Sequence, residues 1–587
     1  MIVLVLLSFT SASTQNNISM ERTDQLATLY ERSGGTETPE YKDGIAYFKL
    51  LAEQFNTIEM QNWGPTDSGE PLSLVLYSHD GIFDIQKNKA LGRAVLLINN
   101  GIHPGEPDGI DASMLLLRGL AEGKLLQSVN KDVLIAVLPY YNIGGAINRN
   151  SYSRTNQNGP KAYGFRGNGR NYDLNRDFIK CDTRNARSFA EIFHHLDPDL
   201  FLDTHVSNGA DYQYVMTLVY SQKDKLGEPL KTFQEELLRP FLFDYMKNVD
   251  DEMTPYVNIW GSKHRHPTPD KGIEQFPDYP RYSTGYTALF NTIGFMTETH
   301  MLKPYAQRVE STLNFMRAFV TAASTYKTEL IKVRTEAKQT VSTKKTFPIK
   351  WEADLSKSSM LDFKGFNSGY KKSQISGADR LYYDNDTPFK KEIPYYDSFK
   401  DAVVVDKPEF YIIPQAWHTI VDLFKINNIV MEPLAEDTIL EVQVYHIDSY
   451  KSYTQPYEGH FPHYDIELRS SIEKVAFRKG DFMVPVNQYG NRYIIETLEP
   501  QAEDSFFKWN FFDMILQRKE GYSSYVFEDL AVEIFESNPE IKSAFESRLA
   551  SDEEFKSNPR AQLHFIYEQS QHAESAYKRY PIYRLME

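Results

Sequence analysis

Between residues 40 and 325 the chain alternates short apolar runs with longer segments whose apolar residues recur at helical spacing. RAVLLINN (93–100), DVLIAVLPY (132–140), LFLDTH (200–205) and GFMTETH (294–300) are bounded by turn or polar residues, which predicts buried strands. DGIDASMLLLRGLAEG (108–123) and RSFAEIFHHL (187–196) carry the i, i+3, i+4 spacing of helices with one apolar face. Such alternation predicts an α/β fold, a mainly parallel mixed sheet flanked by helices on both faces. In sheets of that kind ligands gather at the carboxyl ends of the strands.

Beyond residue 334 the pattern changes. The polar stretch RTEAKQTVSTKKTFP (334–348) predicts a linker or a helix end beside one. EFYIIP, TILEVQVYHI, DFMVPVNQ and NRYIIETL then show the β-branched and aromatic alternation of antiparallel strands, so a β-rich accessory domain is expected over 346–500. FFDMILQRKEGYSSYVFEDLAVEIFESN and RAQLHFIYEQSQHAESAYKRY return to helical spacing, predicting a helical C-terminal region over 501–587. At 587 residues the chain exceeds what one core normally organises, consistent with a first domain over 40–330 and these two after it.

The start, MIVLVLLSFTSAS, predicts a signal peptide over 1–13 and therefore export to a bacterial periplasm or the extracellular space. No later run approaches the roughly 20 apolar residues of a membrane span. Cys181 is the only cysteine, which excludes a disulfide-stapled scaffold. The formal charge of −16 argues against nucleic acid as a partner.

Three of the four strands end in residues able to bind or activate a metal: His103 and Glu106 in GIHPGE, His205 in FLDTHVSNG, and Glu298 in FMTETH. A His-x-x-Glu pair says little alone, since chance supplies about two acid-after-His spacings in a chain of this composition. Together the residues form a two-histidine, one-glutamate set with a spare carboxylate, the donor set of a Zn²⁺ hydrolase that keeps one position open. Pro104 fixes φ and Gly105 permits an unusual backbone angle, so a tight turn brings His103 and Glu106 onto one ion. Glu298 is then the base that takes a proton from the attacking water and returns it to the leaving amine. In the Gly- and Asn-rich YGFRGNGRNYDLNRDF (163–178), Arg176 with Asn175 suits a substrate carboxylate, because guanidinium offers two parallel donors. Arg166 is the candidate for stabilising an oxyanion.

Taken in order, these motifs resemble the zinc metallocarboxypeptidase family, the carboxypeptidase A-like peptidases. The resemblance covers about residues 40–325: HPGE is similar to the family's His-x-x-Glu and DLNRDF to its Asn-Arg motif, followed by a distant single His and a Glu on a late strand. It implies one Zn²⁺ held by His103, Glu106 and His205, catalysis by Glu298, oxyanion support from Arg166, and carboxylate recognition by Asn175 and Arg176. The implied substrate is a peptide or protein with a free C-terminal carboxylate. Two features depart from the family. Its Asn-Pro-Asp-Gly after the second strand reads NIGG here (142–145), and its substrate-capping tyrosine has two counterparts in PRYSTGYTALFN, Tyr282 and Tyr286, of which Tyr286 is preferred. Arg154 competes with Arg166 for the oxyanion, Arg166 being preferred for a spacing to DLNR that resembles bacterial members.

Plainer roles exist for each residue. His103 alone reads as a turn histidine, Glu106 as an early-helix acid favoured by the dipole, His205 as a strand-end hydrogen bonder. Arg176 could pair with Asp173 or Asp177 in a surface turn, and Tyr286 is one of 38 tyrosines. The ordered set outweighs these for the metal. His194 and His195, His264 and His266, and His460 and His463 are read as surface, loop or helix histidines. The aromatics of SFFKWNFFDMIL (505–516) are expected to pack a core or a domain interface. Two other functions use the same residues: a zinc amidohydrolase acting on N-acyl amino acids or peptidoglycan stem peptides, and a catalytically silent peptide- or glycan-binding protein.

Overall fold

The computed structural model describes residues 26–258 and 268–586, so the expected signal peptide and the pair His264 and His266 lie outside the described residues. Strands between residues 58 and 300 are β1 (Ile58–Pro65), β2 (Pro71–Ser78), β3 (Ala94–Asn99), β4 (Val133–Leu138), β5 (Leu200–Ser207), β6 (Met216–Tyr220), β7 (Thr254–Pro255), β8 (Ile273–Glu274) and β9 (Ile293–His300). All but β8 form one sheet in the order β1-β2-β4-β3-β5-β9-β6-β7. Its centre, β4-β3-β5-β9, is parallel, and the antiparallel pairs β1-β2, β2-β4 and β9-β6 flank that centre. The four runs read as strands from the sequence are β3, β4, β5 and β9.

Every residue of β3 and β4 is buried, as continuous apolar strands covered on both faces must be. The pleat sends Leu96 and Ile98 to one face. There they meet Phe48, Met114 and Phe319 of the helices Tyr41–Gln54, Asp108–Ala121 and Tyr305–Thr325. Val95 and Leu97 point to the other face, against Phe189 and Phe193 of the helix Arg184–Leu196.

That second face is shared with the C-terminal half of the chain. Of the two alternatives for residues 334–348 the structure shows the helix end: the helix Lys327–Thr343 runs through most of them, buries Arg334, Ala337 and Val341, and gives way to a strand at Thr346. The strands β10 (Thr346–Ala353), β11 (Ser359–Lys372), β12 (Asp379–Tyr396) and β13 (Phe399–Asp406) make two small sheets, β10-β13 and β11-β12-β8. A six-stranded sheet follows, in the order β15-β18-β14-β19-β16-β17, from β14 (Phe410–Ile413), β15 (Glu432–Pro433), β16 (Thr438–Ser452), β17 (His463–Phe477), β18 (Phe482–Pro485) and β19 (Tyr583–Leu585).

NRYIIETL departs from the strand expectation, forming the helix Asn491–Leu498 with all its residues buried. A segment enclosed on every side has no solvent face to impose a period, so its alternation carried no information. Tyr493, Phe506 and Trp509 share one core with Phe189, Phe193 and Tyr286, so the aromatic-rich 505–516 segment does pack between the two halves. The helices Ser524–Ser537, Pro539–Ser551, Glu553–Lys556 and Pro559–Gln569 surround a small core of their own before the chain returns as β19. Among the described residues no helix is long and apolar enough to cross a membrane.

One glycine fixes the approach to the site. Gly285 lies in the helix Ser283–Ala288, where a Cβ would stand 2.1 Å from the Tyr279 carbonyl oxygen and 2.4 Å from that of Asp278. Backbone cannot swing aside as a side chain can, so Gly285→Ala is expected to cost about 3 kcal/mol. Denaturant unfolding measures it, and a loss below about 1 kcal/mol would show that the 278–279 loop yields.

Candidate functional site

Gly101, at φ +68°, turns the chain out of β3, and a short turn closed by the Glu106 N–H donating to the His103 carbonyl at 2.7 Å follows. His205 lies in β5, in register with Glu298 of β9. The turn and the two strands bring His103, Glu106 and His205 together, each 3% exposed. The Nδ1 of His205 is 3.2 Å from Nδ1 of His103 and 3.1 Å from Oε2 of Glu106, and Nδ1 of His103 is 3.3 Å from Oε1 of Glu106. Ligand bonds of about 2.1 Å spread tetrahedrally set donor atoms roughly 3.4 Å apart, so these three atoms have the spacing of a Zn²⁺ site. Two imidazole nitrogens facing each other at such a distance repel unless a proton or a cation lies between them. The donor set fits a metal ion.

Gly105 serves this turn differently from the expectation. Its φ is not positive; a Cβ there would lie 2.4 Å from Nε of Arg154, so the glycine makes room for an arginine. Arg154 uses that room to donate to Oε1 of Glu106.

Both histidines are held from behind. Nε2 of His205 meets Oδ2 of Asp203 at 3.0 Å, and that oxygen also accepts the Ser283 hydroxyl at 2.6 Å. Nε2 of His103 meets Oδ1 of Asp173 at 2.9 Å. A carboxylate that takes the Nε2–H leaves Nδ1 as the basic, metal-facing nitrogen. Sequence reasoning singled out neither aspartate as a ligand support. For Asp203 the signal was present, since residues i and i+2 of a strand share a face and Asp203 precedes His205 by two.

The electrostatics follow from the enclosure. Burial works against the Glu106 carboxylate, but Arg154 and His103 overcome it and hold its pKa well below the usual range. Burial likewise opposes a charged His205, yet Asp203 and Glu106 keep that ring's pKa well above the ordinary imidazole value. For Glu298 burial wins and raises the pKa to about 8, with His205 and Arg166 pulling it down and Glu106 pushing it up.

These groups face a cavity of about 590 Å³ whose wall also contains Arg154, Arg166, Asn175, Arg176 and Tyr282. Asn175 is buried, and its Oδ1 has no partner within the protein. The Arg176 guanidinium lies over the Tyr282 ring, 4.7 Å from its centroid, and 3.9 Å from Asp173. Asp173 caps the turn Leu174–Arg176 by accepting the Asn175 N–H at 2.9 Å. The metal set, Glu298, Arg166, Asn175 and Arg176 are thus brought to one place.

Tyr286 is not among them. Fully buried on the shared face, it packs against Phe193 and Phe290 and donates its hydroxyl to Asn427 at 2.6 Å. Tyr282 lines the cavity in its stead, because it precedes the helix in extended backbone and its side chain leaves the helical direction.

No family model matches the chain. Carboxypeptidase 2 of Trichophyton rubrum is 21% identical over 422 residues, which is 70% of this chain and 72% of that protein. Carboxypeptidase 2 of Trichophyton equinum is 20% identical over 426 residues, with the same shares covered. The chain is similar to carboxypeptidases. That similarity agrees with the resemblance carried by HPGE, DLNR and TETH. Among solved structures, the metallo-carboxypeptidase from Burkholderia cenocepacia aligns with 48% of this chain and 69% of its own, at 15% identity and a TM-score of 0.36. The carboxypeptidase A from Helicoverpa armigera aligns with 53% and 81%, at 14% identity and a TM-score of 0.37.

Proposed function

We propose that this chain is an exported zinc carboxypeptidase that releases C-terminal residues from peptides. The observation that carries this reading is a single cavity holding the His103, Glu106 and His205 donor set, the carboxyl group of Glu298 and the pair Asn175 and Arg176. His103, Glu106 and His205 would hold one Zn²⁺, which supplies Lewis acidity when bound. Glu298 accepts a proton from the attacking water and delivers it to the leaving amine.

Asn175 and Arg176 clamp the terminal carboxylate. Arg166, tied to Asp173 through Nε and Nη2 at 2.9 Å each, keeps Nη1 at 3.8 Å from Glu106, outside hydrogen-bond range. That nitrogen serves the developing oxyanion. Arg154 is committed to Glu106 and, at 2.9 Å, to Gln157. Tyr282 covers the bound residue. Val219, Tyr256, Phe276 and Met296 add uncharged wall, which suits an apolar terminal side chain.

Incubated with a peptide mixture, the zinc-loaded protein is expected to shorten chains from the C-terminus, apolar residues first, and to spare C-terminally amidated peptides. Arg176→Gln is expected to raise KM about 10- to 100-fold, the worth of hydrogen bonds to a charged group. Mass spectrometry reads the products; loss of residues from the N-terminus, or cleavage confined to N-acyl amino acids, overturns the reading.

A further inference from the structure

The turn that carries Asn175 and Arg176 is held by a segment nearly three hundred residues downstream. The tip of the β16–β17 hairpin lies against Tyr172–Arg176. Its fold is a tight reversal: the Tyr457 N–H donates to the His460 carbonyl at 2.8 Å, the His460 N–H donates back at 3.1 Å, and Glu458 and Gly459 adopt φ +49° and +77°. The left-handed Gly459 is also where the tip comes closest, since a Cβ there would stand 2.5 Å from the Tyr172 hydroxyl. His460 anchors the far side on Asp182 at 2.8 Å, and Tyr457 stacks on the buried Trp509 with ring centroids 5.9 Å apart.

So fixed, the tip presents a carboxylate to that turn. The Glu458 carboxylate accepts the Asp173 backbone N–H at 2.8 Å. Asp173 is the hub of the turn, meeting His103, Arg166 and the Asn175 N–H. Arg176 lies between Asp173 and the face of Tyr282, so its place depends on the turn that Glu458 holds.

We propose that Glu458, supplied by the β-rich region, is a positioning residue of the carboxylate clamp: it holds the Asp173–Arg176 turn and, through that turn, the place of the Arg176 guanidinium. The inference rests on the reading of Arg176 as the carboxylate anchor. It gives the accessory sheet a part in substrate affinity that a merely packed domain lacks.

Full-length, zinc-loaded variants assayed on a peptide with a free apolar C-terminus test it. Glu458→Ala is expected to raise KM about fivefold or more while kcat changes less, the signature of lost ground-state positioning. Glu458→Gln, whose amide carbonyl can still accept the Asp173 N–H, is expected to restore most of the affinity that Glu458→Ala loses. KM unmoved in Glu458→Ala while Arg176→Gln raises it overturns the inference alone, even if thermal stability falls. KM unmoved in Arg176→Gln overturns the anchor reading and this inference with it. Should Glu458→Ala fail to fold, Glu458→Asp decides: it keeps the charge and shortens the reach to the Asp173 N–H by one methylene, so KM is expected to rise in the same direction, and KM unmoved overturns the inference.

Discussion

Glu298→Gln is expected to bind zinc as the parent does and to lose about a thousandfold in kcat, within the range that a positioned acid–base group contributes. Zinc binding survives because the donor atoms come from His103, Glu106 and His205, whose contacts among themselves and with Asp203 and Asp173 do not involve the Glu298 side chain. The backbone survives because Gln is isosteric and Glu298 stays paired in β9 with His205 on one side and Thr217 on the other. What is lost is a group able to take a proton. Burial raises the Glu298 pKa to about 8 against the pull of His205 and Arg166, so its carboxylate is a stronger base than that of a solvated glutamate. The measurement is kcat together with metal content. A loss under tenfold in a fully loaded variant would remove Glu298 from the proton transfer.

How much of this was legible in the sequence depends on the distance over which each signal acts. His103 with Glu106, His205 and Glu298 were readable because each sits at the end of a run whose apolarity marks a buried strand, and parallel neighbours bring strand ends together. The identity of the central strands follows from the same local pattern. Tyr286 and Tyr282 could not be separated that way: four residues apart, they differ only in whether the helix has begun, and that boundary is set by packing of the Gly285 turn against residues 278–279. The helix Asn491–Leu498 was misread because its alternating apolar residues are all buried. Glu458 was beyond reach altogether, since its partner Asp173 is 285 residues away and only the closed fold joins them.

Stripping the metal with a chelator is expected to reduce peptide hydrolysis to background, to lower the Tm, and to do the latter more at pH 8 than at pH 6. Without a cation, Nδ1 of His205 faces Nδ1 of His103 at 3.2 Å and Glu106 at 3.1 Å, and a proton on His205 is the only charge that satisfies both. Asp203 and Glu106 therefore keep the His205 pKa well above 6.5. A folded-state pKa raised above the unfolded one stabilises fully below the unfolded value and loses that stabilisation as pH rises through the folded value. The metal-free protein thus weakens toward alkaline pH. Metal binding runs the other way, because the ligand must shed its proton before Nδ1 can coordinate, so zinc affinity is expected to rise about tenfold per pH unit for the one proton released. At free zinc one hundred times Kd the loaded protein gains about 2.7 kcal/mol, and since Kd falls with pH the gap in Tm at fixed free zinc widens. Titration calorimetry in buffers of different ionisation enthalpy counts the proton directly. A zinc affinity independent of pH, or a Tm gap that narrows from pH 6 to pH 8, would mean that His205 does not coordinate through Nδ1.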